Sequence, residues 1–186
     1  MYQGFELTVV LGSVTLFSGG TRLVTRDVVL HGSYNPSNLN NDIAVITTPW
    51  VAYTNNIQPI ALPTGFLTML TFEGNWDQAA GFGVTQDAEQ ITTSQTLRQV
   101  NLMVVNNLDC ANIYGWTIVS STLCTSGLGR VGPCGGDCGG PLAITLSGQR
   151  TLIGVTSCHH SQGCNVGMPG GFARVTSFVP WIQARL

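Results

Sequence analysis

An all-β fold is what this sequence predicts, on three observations. Hydrophobic residues make up 44% of the 186 and charged ones only 9%, while 23 Gly and 8 Pro divide the chain into short pieces. Apolar residues alternate with small or polar ones over windows of strand length. Only the last stretch, where Phe178, Trp181 and Ile182 recur at helical spacing, reads as a helix. The length fits one domain or two small fused units, with enough chain to bury a core.

From Leu7 to His31 the pattern is strand, turn, strand: Leu7, Val9 and Leu11 alternate with their neighbours, Gly19-Gly20 breaks the run, and Val28-Val29-Leu30 forms a β-branched cluster. The turn formers Ser33 to Asn38 lead into Asn40-Asn41-Asp42-Ile43-Ala44-Val45-Ile46, which sets a carboxylate at the mouth of an apolar strand. A partly buried acid there needs a hydrogen-bond partner. Ile57 to Pro63, with prolines at 59 and 63, suits an extended connection. Gln78 to Gly83 and Leu97 to Val105 read as strands, the second with Val100, Leu102 and Val104 on one face. Cys110 and Cys124 bracket a short loop, Leu152 to Thr156 is a strand leading into Ser157, and Gly170 to Val175 is the last strand. Thr176 or Ser177 is the expected cap of the terminal helix, with Pro180 in its first turn.

Charge narrows the function classes. The formal net charge of −2 offers no basic field for nucleic acid, and no apolar run approaches the length of a membrane span. All seven cationic side chains are arginines. Lysine loses its charge near pH ~10.4 while arginine stays cationic beyond ~12, so a lysine-free chain suits alkaline surroundings. Six cysteines, all in the second half, point to an oxidising compartment, with fifteen pairings open on sequence alone. The first residues have neither the basic start nor the apolar core of a secretory signal.

The densest chemistry lies in Cys134-Gly135-Gly136-Asp137-Cys138-Gly139-Gly140-Pro141-Leu142. Glycines there let backbone N–H groups approach a ligand closely. With serine at position 138 the run would read Gly-Asp-Ser-Gly-Gly-Pro, and together with Asn41-Asp42-Ile43-Ala44 it closely resembles the chymotrypsin-like serine peptidases of the trypsin superfamily. Gly170 to Phe178 and the avoidance of lysine resemble the digestive chymotrypsins of insects, lepidopterans in particular.

That resemblance implies a double six-stranded β-barrel with a C-terminal helix. Residues 1–63 would be a remnant of an incomplete N-terminal barrel with the crossover, and 64–186 the C-terminal barrel with the helix. It puts the catalytic aspartate at Asp42, the nucleophile position at Cys138, and the oxyanion donors on the backbone N–H groups of Gly136 and Cys138. It pairs Cys110 with Cys124 and Cys134 with Cys164, which leaves Cys138 and Cys158 to stay free, bond to each other or hold a soft metal weakly; free thiols or an adventitious bond are expected, and no metal site. The specificity pocket falls on Gly132, Ser157, Cys158, Gly170 and Gly171, with no charge at its floor, and so takes apolar side chains.

Two departures weaken the expected chemistry. Nothing before Asp42 resembles the family's Ala-Ala-His-Cys segment: His31 is the only upstream histidine and sits in a strand-end context, while His159 and His160 lie on the other side of the cleft. The family's mature Ile or Val N-terminus, whose amino group pairs with the carboxylate beside the nucleophile, has no counterpart, so Asp137 is expected to lack a partner and to leave Gly136 and Cys138 disordered. The resulting expectation is a secreted, gut-lumen peptidase homologue without cofactor, catalytically impaired, whose cleft binds a peptide, protein substrate or proteinaceous inhibitor and whose open barrel edge invites self-association. The alternative is an incomplete record of an active secreted serine endopeptidase.

Overall fold

The computed structural model describes residues 6–157 and 163–186. Its elements are β1 (Leu7–Leu11), β2 (Thr21–Thr25), β3 (Val28–Leu30), β4 (Ala44–Ile46), β5 (Trp76–Gly81), β6 (Arg98–Val105), α1 (Asn107–Tyr114), β7 (Thr122–Thr125), β8 (Pro141–Leu146), β9 (Gln149–Thr156), β10 (Gly170–Arg174) and α2 (Val175–Gln183). The architecture is mostly β, as the composition predicts.

Strands β5 to β10 close into an antiparallel barrel with the ring order β10-β7-β6-β5-β8-β9. Period-two alternation puts Leu102 and Val104 of β6 inside with Ala79, Leu123, Leu142, Ile144, Ile153 and Phe172, and Val100 packs at the edge of that cluster. The N-terminal segment is built differently. β1 pairs with β2 and β3 with β4, giving two two-stranded sheets. Between residues 6 and 62 only Ile43 is fully buried. The core therefore belongs to the closed barrel.

Helix α2 ties the two parts together. Val175, Phe178, Val179 and Ile182 pack with Ile43 and Ala173, so one turn-forming segment of the N-terminal part is anchored on the helix. The helix starts earlier than its sequence suggests. Arg174 occupies the N-cap position without a side-chain cap, and Pro180 is the sixth helical residue rather than part of the first turn. Burial of Val175 outweighs the missing cap, and Pro180 leaves the Thr176 carbonyl without its usual helical donor.

The segment between Cys110 and Cys124 also differs from the expected loop, because α1 begins before Cys110 and runs into it as far as Tyr114. The Asn106 side chain accepts from the Leu108 N–H at 2.7 Å, Asp109 sits in the first turn where the helix dipole favours a negative charge, and Gly115 ends the helix at φ 65°. No apolar stripe announces this helix. Disulfides join Cys110 to Cys124 and Cys134 to Cys164.

Candidate active site

Asp42 is presented by a tight turn. Leu39 and Asn41 both have φ 57°, a left-handed conformation that asparagine tolerates better than most residues, and the Asn41 amide donates to the Ser33 carbonyl at 2.9 Å. The carboxylate thus emerges just before β4. There the Ser157 hydroxyl donates to Asp42 Oδ2 at 2.7 Å, across 115 residues of sequence. Ser157 is 2% exposed, and its own N–H donates to the Gly171 carbonyl, so β10 fixes the serine that holds the acid. Sequence reading put Ser157 in the specificity pocket and did not foresee this contact, which no local pattern encodes. Ser157→Ala is expected to cost about 1–3 kcal/mol in denaturant unfolding, since it leaves a half-buried carboxylate without its hydroxyl donor.

His31 takes a different position. Its ring lies 5.4 Å from that of Phe178 and 5.0 Å from that of Trp181, and its Nδ1 accepts from the Ser33 N–H. It serves the contact between the N-terminal part and α2. Cys158, His159 and His160 lie outside the described residues.

The glycine-rich loop is well anchored on both sides of Cys138. Gly139 N–H donates to the Thr156 carbonyl and Thr156 N–H to the Gly140 carbonyl, each at 2.8 Å, so β9 holds the segment that follows Cys138. Gly136 has φ 97°, a conformation that side chains rarely adopt, and this aims the backbone around the expected oxyanion position. Among the described residues no hydrogen bond uses the Gly136 N–H, so this donor is available to a ligand.

The expected disorder of Gly136 and Cys138 does not occur, because Asp137 has found other partners. Its Oδ1 accepts from the Gly83 N–H at 2.7 Å and its Oδ2 from the Cys134 N–H at 2.9 Å. Two N–H donors stabilise a carboxylate without any cation. The fit requires glycine at two positions: a Cβ on Gly81 would fall 2.0 Å from Oδ1, and one on Gly83 would fall 2.4 Å from Cγ. Gly81-Phe82-Gly83 was legible only as a strand end, and its role as a carboxylate seat comes from the fold.

A cavity of about 420 Å³ opens against Asp137, lined in part by Gly81, Gly83, Val100, Gly132, Pro133 and Cys134. Of the expected specificity-pocket residues, Gly132 lines this cavity. Gly170 and Gly171 are buried in β10, and a Cβ on Gly170 would meet Thr125 Oγ1 at 2.8 Å and Pro133 Cδ at 3.1 Å.

The sulfur at position 138 is not a free thiol: Cys138 is disulfide-bonded. A disulfide sulfur carries no proton to give up and cannot act as a thiolate nucleophile. The grouping of Asp87 with Cys134 and Cys164 is no metal site, because both of its sulfurs are consumed in one disulfide.

Comparison with known proteins places this geometry. A family model described as Trypsin matches residues 2–182. A collagenase of Hypoderma lineatum is 37% identical over 184 residues, covering 98% of this chain and 68% of that protein. Serine protease 1 of Drosophila melanogaster is 35% identical over 157 residues, covering 84% of this chain and 57% of its own length. The solved structure of HL collagenase superposes with a TM-score of 0.87 at 38% identity, covering 97% of this chain and 76% of that one. A family match that spans nearly every described residue, with a relative 37% identical over 98% of the chain, means that the chain belongs to the trypsin family of chymotrypsin-like serine peptidases.

Proposed function

We propose that this 186-residue chain is a secreted digestive-type peptidase homologue that binds peptides or proteinaceous inhibitors in its cleft and does not turn them over. The observation that carries the reading is the disulfide at Cys138. Family chemistry needs a nucleophile at that position, a histidine to take its proton, an acid to orient the histidine and N–H donors for the oxyanion. Of these, the described residues offer Asp42, held by Ser157, and the N–H donors of a well-anchored loop. His31, packed against Phe178 and Trp181, is engaged elsewhere.

Binding asks less than catalysis. The Gly136 N–H can donate to a peptide carbonyl, and the pocket-floor position Gly132 carries no charge, which supports an apolar side chain there beside the Arg98, Arg130 and Asp137 that also line the cavity. The disulfides and the family suit an extracellular setting, and the lysine-free composition supports an alkaline gut lumen.

The test is an aromatic-ester assay on the oxidised protein, paired with titration of an aromatic peptide followed by calorimetry. The expected result is hydrolysis no faster than buffer, with binding retained. Rapid turnover by the oxidised protein overturns the reading, and loss of both binding and turnover overturns the cleft's role.

A further inference from the structure

Among the described residues five cysteines are disulfide-bonded, and they differ in where they sit. Cys110 on α1 and Cys124 on β7 are both 0% exposed, and Cys134 is 7% exposed. Cys164 is half-buried. Cys138 alone of the five is exposed, at the tip of a turn in which Gly135, Gly136 and Gly139 are exposed as well. A Cβ built on Gly139 would meet nothing within 4 Å, so the space next to Cys138 is open to an incoming molecule.

The turn does not depend on the Cys138 bond for its shape. The Asp137 N–H donates to the Cys134 carbonyl at 3.0 Å and the Gly140 N–H to the Asp137 carbonyl at 2.8 Å. The Asp137 carboxylate keeps its donors on Gly83 and Cys134, and Gly139 and Gly140 are laddered to Thr156. The Cys134–Cys164 disulfide ties down the start of the turn separately. Opening the bond at Cys138 therefore removes a covalent link and leaves these supports in place.

Disulfides that thiols can reach are the labile, regulatory ones, whereas buried structural disulfides resist reduction. Resting on the reading of the cleft as a binding site, we propose that Cys138 is a thiol-exchange site, at which a low-molecular-weight thiol opens the disulfide ahead of Cys110–Cys124 and Cys134–Cys164 and so regulates the cleft. A thiolate attacks the Cys138 sulfur and forms a new S–S bond with it. The old S–S bond breaks, and its electron pair leaves on the displaced cysteine sulfur, which takes up a proton. A second thiolate then attacks the small molecule's sulfur, releases Cys138 as a thiolate and departs as a small-molecule disulfide. Overall the protein disulfide is reduced and the pair of thiols is oxidised.

The two steps leave the cleft in different states. The mixed disulfide places the body of the thiol beside Gly136, where a peptide would otherwise lie, and acts as a reversible stopper. Full reduction clears the cleft and leaves a thiol in the same turn as the unused Gly136 N–H. Thiols ionise near pH ~8.5, so the alkaline surroundings that a lysine-free chain suits also supply the attacking thiolate.

Graded reduced glutathione on the oxidised 186-residue chain, at about pH 8, followed by an iodoacetamide quench and peptide mapping by mass spectrometry, tests this. Cys138 is expected to carry glutathione or the alkyl group at thiol concentrations at least about tenfold below those that label Cys110, Cys124, Cys134 or Cys164. Near-UV circular dichroism is expected to stay unchanged over that range. Titration of the glutathionylated chain with the aromatic peptide is expected to show affinity at least about tenfold weaker than for the oxidised chain. Opening of all the disulfides together, labelling of Cys134 or Cys164 first, loss of the near-UV signal as Cys138 is labelled, or unchanged peptide affinity after glutathionylation overturns the proposal. Ester turnover by the oxidised chain, measured on the same samples, overturns the reading of the cleft instead, so the two failures are told apart.

Discussion

Replacing Asp77 with valine is expected to stabilise the protein by about 2–4 kcal/mol more at pH 8 than at pH 4. Asp77 is on β5, opposite Leu102, and it points into the closed barrel with 1% of its surface exposed. Neither carboxyl oxygen has a hydrogen-bond partner, and burial pushes its pKa up from 3.8 to about 7. As pH falls below 3.8 the group becomes protonated in both folded and unfolded chains, and the pH-dependent part of its cost disappears while the cost of an unpaired buried carboxyl stays. As pH rises from about 4 to about 7 the unfolded chain ionises freely while the folded one resists, and stability drains away over that window and stays lost above it. A carboxyl moved from 3.8 to about 7 corresponds to roughly 2–4 kcal/mol once relaxation around the buried group is allowed for. Urea titrations at pH 4, 6 and 8 measure it: a sloping profile for the parent chain and a flat one for Asp77→Val are expected, and parallel profiles would refute the assignment. The cost of Asp77 is therefore fully present at alkaline pH.

Gly83→Ala is expected to destabilise the chain by about 3–5 kcal/mol and to open the glycine-rich loop to protease. The added methyl would sit 2.4 Å from Asp137 Cγ, so the carboxylate must leave its seat and give up the Gly83 and Cys134 N–H donors. Each is a hydrogen bond to a charged group, contributing about 1.5–3 kcal/mol. Gly132→Ala, where nothing lies within 4 Å of the new methyl, is the matched control and is expected to change stability by less than about 0.5 kcal/mol. Limited proteolysis followed by mass spectrometry reads the loop directly. Cleavage between residues 134 and 140 is expected in Gly83→Ala alone, and equal resistance in both variants would mean that Asp137 does not brace the loop.

Strands with regular alternation were legible because burial on one side of a pleat repeats every second residue. Val100, Leu102 and Val104 marked the inner face of β6 without any knowledge of its partners. The chemistry of the loop was equally local, since a Gly-Asp-Cys-Gly-Gly-Pro run names its family by residue order. Helix α1 was missed for the opposite reason: its residues form no apolar stripe, and its ends depend on one asparagine cap and one glycine.

By itself, then, the sequence determined the all-β class, the family motifs at Asp42 and Cys138, and the terminal helix, since each is written in neighbouring residues or in a short period. Tertiary structure alone decided that Ser157 holds Asp42, that Gly81 and Gly83 make room for Asp137, that Cys138 is a disulfide rather than a thiol, and that Asp77 faces the core. The physical reason is common to all four. A hydrogen bond or a steric limit acts over about 3 Å in space, and in the Ser157–Asp42 contact the two residues are 115 apart in the chain, a distance across which no periodicity or local spacing carries information.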